Sequence, residues 1–69
     1  MTYTAAVRAA EALAREFTAG ADLTTPLVRE DMRRVVSDLI GEQTGAFRAA
    51  VDAFETIWTT AGGTLVWAH

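Results

Sequence analysis

The chain has no cysteine and no lysine, a single proline at Pro26, a single serine at Ser37 and a single histidine at its last position, His69. Without thiols there is neither a disulfide staple nor a zinc-thiolate site. Nucleophilic catalysis needs an activated serine or cysteine with a base beside it, and Ser37 and terminal His69 are poor material for that. Carboxylates do not fill the gap. Glu30 and Asp31 are adjacent, so on a helix they project about 100° apart instead of converging on a substrate. The glycine-flanked stretch GEQTG is too poor in acids to gather a hard cation. The chain is therefore read as a non-enzyme, with no cofactor and no metal.

Long apolar runs are missing as well. No segment approaches the ~20 residues of a membrane span, and MTYTAAVRAAEALAREF carries charges every few residues where a secretion signal needs an unbroken apolar stretch. A soluble, unsecreted, cytoplasmic protein without membrane contact is expected. Six arginines with no lysine, in an alanine-rich chain, fit GC-rich coding DNA and so a bacterial or phage source.

What is present is apolar and periodic. Hydrophobic residues make up 51% of the 69 positions and the net charge is only −3, a balance that belongs to a folded domain and not to a disordered chain. So short a chain stands near the lower limit for a self-sufficient core, which makes help from oligomerisation or a partner an expectation from the outset.

Helical spacing divides the chain into three segments and a tail. Tyr3, Val7, Ala10, Leu13, Ala14 and Phe17 share a stripe opposite Arg8, Glu11 and Arg15, predicting a helix over about 3–19 with Thr2 or Thr4 as cap and Gly20 beyond its end. Thr25 as cap and Pro26 at the first helical position predict a second helix over 26–40, ended by Gly41. Its apolar sector comprises Val28, Met32, Val35, Val36, Leu39 and Ile40. A third helix is predicted over 44–61, capped by Thr44, with Phe47, Ala50, Val51, Phe54, Ile57, Trp58 and Ala61 on one face and Gly62–Gly63 as its stop. Gly41 and Gly45 favour a break between the last two helices, although a single kinked helix costs only about 1 kcal/mol per glycine. The expected fold is all-α: one domain, 1–69, a small three-helix bundle with a short extended apolar tail over 64–69.

That tail, TLVWAH, is unusual, because chain ends tend to be polar and frayed. Four strand-prone residues make no sheet alone. They pack on the helices in cis, pair with an identical strand in trans, or hang in solvent, and the last is the least favoured because burying Leu65 and Trp67 is worth ~1.5–3 kcal/mol per side chain.

The charges form i,i+4 pairs along the helices: Glu11 with Arg15, Glu30 with Arg34, Arg34 with Asp38, and Arg48 with Asp52. Such pairs read as solvated faces worth a few tenths of a kcal/mol each. Glu16, Asp22, Glu42 and Glu55 are surplus acids, too sparse for a mimic of DNA. VVSDLIGEQTGAFRAAVDAF can be laid over a helix-turn-helix. Its second helix, however, offers Arg48 against Asp52 and Glu55, in a chain of net negative charge. A DNA-binding regulator thus remains the alternative reading, requiring a dimer to set Arg29, Arg33 and Arg48 of two chains side by side.

The leading reading is a protein–protein interaction module that self-associates as a homodimer and meets a larger protein partner, as an accessory or modulator protein would. Tryptophan joins large contact area to one N–H donor and is enriched at interface hot spots. Trp58, in phase with Phe54 and Val51, also suits the core. With Leu65, Val66 and Trp67 it makes up the candidate interface.

Overall fold

The computed structural model describes residues 1–68, and its element order is α1 (Tyr3–Ala19), β1 (Leu27–Val28), α2 (Arg29–Ile40), α3 (Phe47–Thr60) and β2 (Leu65–Val66). α1 starts where a side-chain cap permits it: the Thr2 hydroxyl accepts the N–H of Ala5 at 3.1 Å. Its buried positions are Ala6, Ala10 and Ala14, all at zero exposure, while Tyr3 at the edge of the expected stripe is 62% exposed. The core face is thus rotated from the one the larger side chains suggest. A methyl-sized ridge is what fits against α3, whose buried side chains include Phe54 and Trp58.

α2 begins three residues later than its capping signal implies. Thr25 does not cap; its hydroxyl donates instead to the carboxylate of Asp22, which also accepts from the backbone and hydroxyl of Thr24. Leu27 and Val28, after Pro26, are extended and pair in parallel with the tail, Leu27 opposite Leu65 and Val28 opposite Val66. The expectation of a helix from Pro26 fails because strand pairing with a distant segment outcompetes a local start signal. From Arg29 the helix buries Met32, Val36 and Ile40, one side chain per turn, and ends at Gly41, whose φ of +78° few other residues adopt.

That glycine also separates α2 from α3 as two helices. Thr44 is not the cap of α3. Its hydroxyl donates back to the carbonyl of Gly41 and its own carbonyl accepts the N–H of Phe47, a turn that delays the helix to Phe47.

Of the tail expected over 64–69, residues 64–68 lie against their own chain, and residue 69 falls outside the described residues. Gly62, with φ +104°, reverses the chain, and Gly63 passes so close beneath the buried indole of Trp58 that a Cβ there would collide with the ring. The all-helical expectation is corrected accordingly: a two-stranded parallel sheet of two residues per strand sits beside the three helices. Phe17 closes that end of the core, tilted on Phe54 and Trp58 with ring centroids 5.7 and 5.8 Å away. Such contacts add about 0.5–1.5 kcal/mol per pair beyond area.

The radius of gyration, 11.3 Å, is near the ~11 Å of a folded chain of this length. The accessible surface of 4354 Å² compares with the roughly 4200 Å² usual for a monomer of this mass. The core within one chain comprises Ala6, Ala10, Ala14, Met32, Val36, Ile40, Ala46, Ala50, Val51, Phe54 and Trp58. No described helix is long and apolar enough to cross a membrane.

Candidate functional site

The parallel register does more than hold the tail. Because β1 runs straight into α2, pairing Val28 with Val66 sets the next residue of the tail, Trp67, beside the first residue of α2, Arg29. The Arg29 guanidinium lies 5.3 Å from the Trp67 ring centroid. One residue further on, the Glu30 carboxylate accepts the backbone N–H of Ala68 at 3.1 Å. Trp67 is therefore 59% exposed and held at the same time.

Trp67 stands at the edge of a groove of about 440 Å³ between α2 and α3. α2 contributes Arg29, Met32 and Arg33, the i, i+3 and i+4 positions of one helical face. α3 contributes Phe47, Val51 and Glu55 at four-residue intervals, with Arg48 and Asp52 beside them. Met32 and Val51 are nearly inaccessible and Phe47 is half-buried, so the floor is apolar and the rim charged.

The rim charges differ in what they are free to do. Arg29 is engaged twice, by the Trp67 ring and by the carboxylate of Glu55 at 3.0 Å, where both side chains are about 30% exposed. This interhelical pair contributes of the order of 1 kcal/mol or less. Arg33 stacks toward Phe47, 5.9 Å from its centroid. Among the described residues, neither Arg33 nor Arg48 has a carboxylate within ion-pair distance. The expected i,i+4 pairs are absent from that set; the two ion pairs are Arg29 with Glu55 and Arg34 with Asp31.

The four expected interface residues separate in space. Trp58 is 2% exposed and belongs to the core, its indole N–H donating to the carbonyl of Thr64 at 2.7 Å. That contact withdraws it from any surface. Leu65 is half-buried, Val66 is 40% exposed, and Trp67 alone reaches the groove. Sequence reasoning missed Phe47 as a wall of this groove, because its phase on α3 places it with the core. It also missed the meeting of Arg29 with Glu55, for which a separation of 26 positions leaves no local signal.

Among the described residues no three metal-ligating side chains converge. Comparison with family models, with curated proteins and with solved structures returns no match.

Proposed function

We propose that the chain is a non-catalytic protein–protein interaction module whose partner-facing surface is the α2–α3 groove together with Trp67. The observation that carries this reading is the state of Trp67: a large aromatic side chain, 59% exposed, positioned by strand register, by Arg29 and by the Glu30 contact to Ala68. Ordering such a side chain before binding removes part of the entropic cost of association, which is why rigid aromatic anchors dominate interface energetics.

Self-association as a homodimer is the second part of the proposal. It draws on exposed apolar side chains outside the groove lining, namely Met1, Tyr3, Phe17, Leu39 and Val66, and on two-fold dimers being the commonest closed oligomers. A cytoplasmic accessory role in a bacterium or phage accords with the thiol-free, lysine-free composition. Duplex DNA is disfavoured as the partner, because Asp52 and Glu55 line the same groove as Arg33 and Arg48.

Native mass measurement of the chain recovered from its own cells tests the reading. A complex with a second protein is expected, lost in Trp67→Ala while the helical circular dichroism is retained. Recovery of the bare chain, or a complex indifferent to Trp67, removes it. For the dimer, light scattering is expected to give twice the 7.4 kDa chain mass and a fall toward one chain in the double variant Tyr3→Ser, Leu39→Ser; a wild type that remains single at every concentration removes this part.

A further inference from the structure

The groove carries the opposite sign to the chain that builds it. Its lining holds Arg29, Arg33 and Arg48 against Asp52 and Glu55, a local charge of +1, whereas the whole chain carries −3. Since Arg29 and Glu55 neutralise one another, the cations left to act on a ligand are Arg33 and Arg48. Between them lies an apolar floor of Met32, Val51 and Phe47, walled by Trp67.

We infer that this groove takes an acidic, partly apolar peptide segment of a partner protein, an inference that rests on the protein-binding reading above. Carboxylates of the segment meet Arg33 and Arg48, and an apolar side chain between them lies against Phe47 and Trp67, the lining side chains that keep accessible apolar surface. Three features select this occupant. An inorganic anion would leave the accessible apolar surface of Trp67 and Phe47 uncovered, and only an apolar side chain of the ligand can take that surface out of water. A nucleic acid strand presents an unbroken row of phosphates, and Asp52 stands in its way. A peptide alternates charge with apolar bulk at the spacing of its own side chains, so it satisfies the two arginines and the floor while leaving Asp52 free to accept a backbone N–H. Guanidinium groups also suit carboxylates better than ammonium groups would, because their paired N–H donors match two carboxylate oxygens.

Fluorescence anisotropy of the full chain with labelled synthetic peptides provides the test. The probes are a peptide with leucines spaced among glutamates, the same peptide with serines for leucines, oligoglutamate, and single- and double-stranded oligonucleotides. The leucine-containing acidic peptide is expected to bind tightest and to weaken with added salt. The double variant Arg33→Gln, Arg48→Gln should weaken it by about tenfold or more, and Trp67→Ala should weaken it as well. Arg8→Gln, on α1 and outside the lining, should leave binding unchanged. Glutamine keeps the helix propensity of arginine, and circular dichroism checks that the fold persists. No binding, equal binding of the serine peptide, tighter binding of an oligonucleotide, or indifference to Arg33 and Arg48 would each overturn the inference. If the peptide fails while the Trp67-dependent native complex persists, the inference alone falls and the protein-binding reading stands.

Discussion

The carbonyl oxygen of Thr64 accepts two donors from different elements, the indole N–H of Trp58 at 2.7 Å and the backbone N–H of Leu27 at 2.9 Å. Through this one atom the core of α3, the entrance to α2 and the C-terminal tail are joined. The groove inherits its geometry from that junction, since Trp67 is placed by the strand pairing that begins there.

Removing one of the two donors isolates its contribution. Trp58→Phe keeps an aromatic ring on Phe17 but deletes the N–H and leaves a small void. A loss of ~1–3 kcal/mol is expected, read as a lower melting temperature. Hydrogen exchange should show the Leu27 amide losing protection before the amides of α3. Equal loss at both places would mean that tail and bundle open as one unit and that the junction has no local role.

The glycines differ in what they tolerate. At Gly63 an added Cβ falls on the buried Trp58 ring, so Gly63→Ala must displace either the indole or the tail; a cost of ~1–3 kcal/mol is expected. Gly45 has open space around it and no positive φ. There alanine should be harmless, or stabilise by about 0.4–1 kcal/mol through a less flexible unfolded chain. Denaturant midpoints of the two variants decide the matter, and equal midpoints would mean that the close approach of Gly63 to Trp58 does not constrain the tail.

How much of this was legible in the sequence depends on the range of the interaction. The extent of α1 was readable, because a capping threonine, the 3.6-residue period and Gly20 are local signals, but Gly20 takes φ −99° and not the left-handed conformation expected of it, and the face that α1 buries was not readable. The break at Gly41 was readable for the same reason. The start of α2 was not: Thr25 and Pro26 spell a helix start, and only pairing with Leu65 and Val66, nearly 40 positions away, makes Leu27 and Val28 extended. The site suffers most from this rule. Trp67 was visible as an apolar residue in an odd place, yet its neighbours Arg29, Arg33 and Phe47 are assembled by tertiary packing, and the pairing of Arg29 with Glu55 has no sequence period at all.

Acid should loosen the connection between α1 and β1. Asp22 accepts from the hydroxyl and the backbone N–H of Thr24, which hold its carboxyl below its ordinary value of 3.8. A depressed folded-state value means that the charged form favours the folded chain, so the contribution is complete above pH 3.8 and disappears as pH falls through the lowered value. Melting temperatures of wild type and Asp22→Ala should therefore differ by a constant amount near neutral pH and converge in stronger acid. A gap that stays open in acid would show that the Thr24 contacts do not depend on the carboxylate charge.

The alanine ridge of α1 offers the sharpest test of the packing. Ala6, Ala10 and Ala14 have no exposed surface, and they face a core that contains Phe54, Met32 and Val36. In most small bundles a larger apolar side chain would add burial, but here the space is already filled by the residues opposite. Ala10→Leu should thus destabilise by about 1–3 kcal/mol despite its added hydrophobicity. Ala12→Leu makes the same chemical change on the exposed side of the same helix, where leucine and alanine differ little in helix propensity. Chemical denaturation of the two variants side by side should show a lowered midpoint for the first and an unchanged one for the second. If both were unchanged, α1 would have room to move away from α3, and the close small-against-large contact would not be what fixes the bundle.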